Sequence, residues 1–204
     1  MKKTQATFLV LTGLLFFSFK IKNHKAEVKD YLNVPGPLTF DNTNYNLAWS
    51  SHPSENYYMQ EYIPQSDSID NFNKMILINI ITSNSIKIDE VVSAKISELT
   101  KMQKANPVIQ FKVYNNKKTG EHMIDFLLSE NEPDGNHLKL VERNVYRYKQ
   151  FVDKSGQKGI LLVGTSTRSY GHDIYNFFAE LKNHREDMII KVGDFAIPEI
   201  TLSK

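Results

Sequence analysis

The stretch Trp49-Ser50-Ser51-His52-Pro53-Ser54-Glu55-Asn56-Tyr57-Tyr58-Met59-Gln60-Glu61-Tyr62 concentrates the side chains best suited to recognition. It holds the only Trp of the chain and three of its ten Tyr, mixed with an imidazole and several hydroxyl groups. Aromatic surfaces edged with hydrogen-bonding groups suit sugars, peptides and protein partners. Trp49, His52, Tyr57, Tyr58 and Tyr62 are therefore the candidate binding residues, for a protein, peptide or glycan partner. The plainer alternative is that Tyr58 and Tyr62 share one face of a strand and that Trp49 belongs to the core.

Catalytic chemistry finds less support. Ser169-Tyr170-Gly171-His172-Asp173 brings a hydroxyl, an imidazole and a carboxylate together in sequence. Triads are built from residues distant in sequence and convergent in space, so adjacency does not favour one. The bland reading is a loop that closes a strand, with Asp173 capping the helix that follows. The histidines are scattered rather than paired at metal-ligand spacing. His122 and His137 fall on adjacent strands, but a hairpin centred near Pro133 puts His122 opposite about Asn144, and the two miss each other. Glu130 to Gly135 resembles the start of a calcium loop, yet Val141 stands where the twelfth-position Glu is needed. Cysteine is absent, which excludes disulfides, thiolate metal sites and cysteine nucleophiles. The dinucleotide, P-loop, zincin and α/β-hydrolase signatures are absent too. No catalytic residue, metal or cofactor is assigned.

The elements that must position these groups can be read from periodicity. Strand-like pieces fall at 38–41, 45–50 and 57–63, separated by Asn- and Ser-rich turns. Residues 65–73 are long enough for one helical turn. Residues 74–82 are apolar on both faces, as a central strand covered on both sides must be. The period then switches: Ile88, Val91, Val92, Ile96, Leu99 and Met102 form one helical stripe over 87–105, stopped by Asn106-Pro107. Four strand-like segments follow at 108–114, 121–129, 138–150 and 158–168, with links too short for parallel crossovers. A last helix spans 173–190, ended by Gly193. The expected fold is α+β: a single antiparallel sheet of about six to seven strands with two main helices packed on it.

The chain of 204 residues has room for one ordinary domain. Lys2 and Lys3 precede an apolar run from Phe8 to Phe19, the layout of an export signal and shorter than a membrane span. The expected division is a signal peptide at 1–26 and a single α+β domain at 27–204. A periplasmic or secreted location follows, with no stable membrane span unless the leader is retained. The whole chain carries 25 Lys and Arg against 23 Asp and Glu. Five of those lysines, and no acid, precede Glu27, so residues 27–204 hold 20 basic and 23 acidic side chains, a net charge of −3. A slightly acidic domain has no electrostatic reason to seek nucleic acid.

The segment Tyr62-Ile63-Pro64-Gln65-Ser66-Asp67-Ser68-Ile69-Asp70-Asn71-Phe72-Asn73-Lys74-Met75 resembles a motif of small exported Gram-negative proteins of unassigned function. In them an extended Y-x-P leads through a polar turn to an aromatic residue and a methionine that opens a central strand. The order strands, helix, meander, helix is similar to that of the PsbP/Mog1-like folds, and this likeness implies an accessory or interaction role. Together these observations predict an exported binding or accessory protein without catalytic activity. The alternative is a periplasmic hydrolase with an unrecognised active site, for which His172 and Asp173 are the first candidates.

Overall fold

The structure is a computed structural model and describes residues 28–203. The expected signal peptide at 1–26 lies outside the described residues. The elements are β1 (Leu38–Phe40), β2 (Thr43–Ser54), β3 (Tyr57–Ile63), β4 (Lys74–Thr82), α1 (Ile88–Ala105), β5 (Phe111–Asn116), β6 (Glu121–Asn131), β7 (Leu138–Val152), β8 (Lys158–Tyr170) and α2 (Ile174–Asp194). All eight strands join one antiparallel sheet in the order β1-β2-β3-β4-β8-β7-β6-β5.

The structure is α+β but mostly sheet, and its eight strands correct the expected six to seven. The undercount has a local cause. β1 is only three residues long and turns into β2 through Asp41 and Asn42, whose φ values of 47° and 57° make a two-residue hairpin turn. Every strand has a counterpart among the strand-like segments of the sequence, β1 at 38–41 included, and only its pairing with β2 shows that a piece so short joins the sheet as a strand of its own. Residues 65–73 form no helical turn; Asp67 instead accepts the Asn73 backbone N–H at 2.8 Å, and Ser68 bridges Asn71.

The sheet is buried on both faces because β4, β7 and β8 are apolar or polar-satisfied on both sides. On one face α1 lays Ile88, Val92 and Leu99 over Leu77 of β4, Ile124 and Phe126 of β6, Tyr146 and Tyr148 of β7 and Ile160 of β8. On the other, Ile189 and Val192 of α2 join Val145, Leu161 and Val163, while Leu32, Val34 and Ile200 cover Tyr58, Tyr62, Ile76 and Ile78.

Three further expectations are corrected. Asp173 makes no side-chain cap: a 3-10 turn at Gly171–Asp173 already gives it helical angles (φ −74°, ψ −12°), and a cap needs an extended backbone to fold its carboxylate back. Gly193 does not end α2, which continues to Asp194 and bends at His184 (φ −126°, ψ 26°). The β6–β7 hairpin turns about Gly135 rather than Pro133, with a register shift between Glu130 and Asn131, so His122 faces Tyr148 and not Asn144.

Candidate functional site

The five aromatic and imidazole candidates divide between the two faces of the sheet. A register shift at Ala48 sets Leu47 opposite Tyr62 but Trp49 opposite Glu61. Trp49 and Tyr57 therefore lie on the α1 face, and Tyr58 and Tyr62 on the other. Tyr62 is fully buried; its hydroxyl donates to the Val34 carbonyl at 2.7 Å and accepts from Gln60 Nε2 at 2.6 Å. Gln60 Oε1 in turn accepts the Leu32 N–H at 2.9 Å. Tyr58 is buried and stacks on the His52 ring at 4.1 Å, which also meets Tyr31 at 5.3 Å. These three residues fasten the segment around 31–34 to the sheet; Tyr58 and Tyr62 are buried there, and His52 is half-buried between Tyr58 and Tyr31.

The Ser169–Asp173 run is not an assembled triad. Ser169 is buried, while His172 and Asp173 are exposed and neither side chain makes a hydrogen bond among the described residues. His122 sits on Asp89 at 3.1 Å and His137 on Asp134 at 2.7 Å, on different parts of the surface. Among the described residues no group of three His, Asp or Glu could hold a metal ion, and no helix is long and apolar enough to cross a membrane.

What the topology does assemble is a polar cluster on the α1 face that sequence reading missed. β7 and β8 pair Glu142 with Arg168 and Asn144 with Ser166 directly across the ladder. Arg168 Nε donates to Glu142, Asn144 Nδ2 donates to the same carboxylate at 2.8 Å, and Ser166 Oγ donates to Asn144 Oδ1 at 2.6 Å. The Arg168 guanidinium also lies 3.9 Å from the Phe72 ring centre. Next to this row, Tyr146 lies across Gly164, where a Cβ would come within 2.6 Å of the ring. The chain of donors and acceptors is closed, so Glu142 and Arg168 satisfy each other.

Glu61 sits beside this closed network without joining it. Its cross-strand neighbours are Trp49 on β2 and Leu77 on β4, with Met59 and Ile63 flanking it on β3. Its carboxyl accepts no hydrogen bond among the described residues. Burial pushes it up to about 7, against a pull downward from the Arg168 charge and a further push from Glu142. The apolar neighbours explain why burial dominates.

The surface around Glu61 is open. Trp49, Ser51, Tyr57, Met59 and Glu61 are all half-buried, and the cluster beneath α1 contains no residue of β2 or β3. A separate groove of about 380 Å³ runs between the β7–β8 hairpin and residues 197–200, lined by Phe151, Leu161, Ile197 and Ile200. None of the five candidate residues borders it.

A sequence signal for Glu61 existed. Gln60 and Glu61 are adjacent polar residues inside a seven-residue strand, so they must point to opposite faces. One polar group therefore falls on each side, and each needs a partner. Gln60 has its partners, and Glu61 does not.

No curated protein and no solved structure matches the chain. Residues 32–197, which span every strand, both helices and the polar cluster, match the model of an uncharacterised family, and the chain belongs to that family.

Proposed function

We propose that this protein is an exported, non-catalytic binding protein that takes its partner on the β2–β3 portion of the α1 face. The observation that carries this reading is that Trp49, Tyr57, Met59 and Glu61 share one sheet face left half-open beside α1. Large aromatic and apolar groups around one polar anchor are the make-up of a recognition surface. Export rests on the sequence of residues 1–26, and an accessory role of the PsbP/Mog1-like kind rests on the order of elements; both belong to the proposal. Trp49 and Tyr57 remain as binding residues, with Glu61 added.

The single Trp makes the test direct. Emission from Trp49 is followed while short peptides and oligosaccharides of defined composition are titrated. The expected result is a saturable shift with one class, weakened at least tenfold by Tyr57→Ala with the melting curve unchanged. A folded Tyr57→Ala variant that binds as the parent does would overturn the site.

A hydrolase is the second reading, and one observation favours it. Burial holds the Glu61 carboxyl up, as a general acid requires, and a second carboxyl, Glu142, lies on the same sheet face in its ion pair with Arg168. Turnover of an ester, glycoside or peptide substrate that is lost in both Glu61→Gln and Glu142→Gln would replace the binding reading.

A further inference from the structure

We infer that the β2–β3 face recognises a lysine or arginine side chain presented by a peptide partner, with the Glu61 carboxylate as counter-ion and Trp49 as the ring beside the cation. The inference rests on the binding reading of this face and names the chemistry of the partner.

Glu61 is the unmatched charge of this face. Every other polar group of the cluster is committed: Arg168 to Glu142 and the Phe72 ring, Asn144 to Glu142, and Ser166 to Asn144. Glu61 alone is left without a donor, between Trp49, Leu77, Met59 and Ile63. A half-buried carboxylate with apolar neighbours is poorly solvated, and a cation brought by a ligand supplies what the chain withholds. Trp49 stands directly across the ladder from Glu61, and Trp is the strongest aromatic partner for a cation. The long alkyl stems of Lys and Arg pack on apolar surface while the charged head reaches a polar partner, which suits a carboxylate set behind Met59 and Trp49. An anionic ligand would meet Glu61 with Arg168 already engaged. A divalent ion needs several oxygen donors, and Glu61 is one.

Affinity must follow the ionisation of Glu61. The charged groups that face it are Arg168 on β8 and Glu142 on β7, with the Tyr146 phenol beside them and the Lys95–Glu98 pair of α1 beyond, at 3.2 Å from each other. In the free protein burial holds the Glu61 carboxyl up to about 7, and only its ionised form attracts a cation. Binding therefore strengthens as pH rises through 7, levels off above it, and weakens by up to tenfold per unit below it. The ligand ammonium or guanidinium stays charged throughout.

The experiment titrates acetylated, amidated pentapeptides Gly-Gly-X-Gly-Gly, X being lysine, arginine, norleucine or glutamate, to millimolar concentrations while Trp49 emission is recorded at pH 6 and pH 8. The expected result is saturation by the lysine or arginine peptide alone, at least fivefold tighter at pH 8, and lost in Glu61→Gln. Equal binding of the norleucine or glutamate peptide, or undiminished binding by a folded Glu61→Gln variant, rejects the cation while keeping the face as a binding surface. Saturation of Trp49 by an oligosaccharide and by no peptide likewise rejects only the cation. If neither peptides nor oligosaccharides move Trp49 emission, the binding reading falls and the inference falls with it.

Discussion

Glu61 weakens the fold that carries it. Its carboxyl is raised from the ordinary 4.5 to about 7, so the folded chain holds that proton more tightly than the unfolded chain does. The favourable, protonated state is present in full below pH 4.5. Stability is then lost as pH climbs through the window from 4.5 to about 7, by about 3 kcal/mol at the limit set by 1.36 kcal/mol per unit. Gln keeps the shape and removes the titration. Glu61→Gln should leave stability near that of the parent at pH 5 and raise it by about 1–3 kcal/mol at pH 8, read from urea unfolding at both values. A parent protein whose stability stays flat between pH 5 and pH 8 contradicts the assignment. Arg168 and Glu142 show the opposite logic two and three strands away, where a buried carboxylate is matched by a guanidinium and two more hydrogen bonds link the row. One carboxylate of this face is paired within the fold, and the other is not.

At the scale of elements, α2 is held to the sheet by charge as much as by apolar packing. Asp125 is fully buried and meets Arg143 at 3.0 Å and Arg185 at 2.5 Å, and Arg143 Nη2 donates to the Arg185 carbonyl at 2.6 Å. Arg147 pairs with Glu121 at 2.9 Å and reaches the Val192 and Phe195 carbonyls at the end of the helix, where the dipole favours a cation. The Arg185 ties fall just past the bend at His184, and the Arg147 ties at the far end of the helix. Replacing Asp125 with Ala leaves Arg143 buried without its counter-charge, which costs about 3–5 kcal/mol. Hydrogen exchange should show the loss at Arg185–Asp194 before it shows at α1, and equal protection of the two helices would count against the anchor. The same elements show what could be read in advance. α1 and the long strands stand out because their apolar periods run for many residues, and Asp89 and Glu90 at one end of α1 with Lys104 at the other mark its direction. β1 was hard to count and the end of α2 hard to place because each is decided by two or three backbone angles. The Glu61–Arg168 cluster was illegible for a different reason. Its members come from residues 61, 142, 144, 166 and 168, and only the pairing order β3-β4-β8-β7 brings them to one face. Trp49 and Tyr57 were found because aromatic residues announce themselves. Tyr57 parts from Tyr58 and Tyr62 by plain alternation along β3, but the face that Trp49 takes is illegible, because the register shift at Ala48 is silent in the sequence.

Across the whole molecule the two faces of β2–β4 are treated unequally, and this asymmetry makes the binding reading testable from behind. The far face is sealed by two segments laid side by side: Thr201 N–H donates to the Leu32 carbonyl at 3.0 Å, Ser203 N–H to Tyr31 at 2.8 Å, and Asn33 Nδ2 to Thr201 at 2.6 Å. They bring Leu32, Val34 and Ile200 onto Tyr58, Tyr62 and Ile76, all buried. On the near face the same strands present Trp49, Tyr57, Met59 and Glu61 half-open. Ile200 thus belongs to the seal, while Glu61 works against stability and, in the proposed reading, toward a partner. Ile200→Ala removes a buried side chain from the core at the edge of the groove and should cost about 2–5 kcal/mol by urea unfolding. It touches no group of the open face, and sites with no shared partner contribute nearly additively. The folded variant should therefore bind a Trp49-shifting ligand with the parent's affinity, whereas Glu61→Gln should gain stability at pH 8 and lose affinity. Loss of affinity in folded Ile200→Ala would mean that the two faces are coupled through β3, and that the open face owes its shape to the seal behind it.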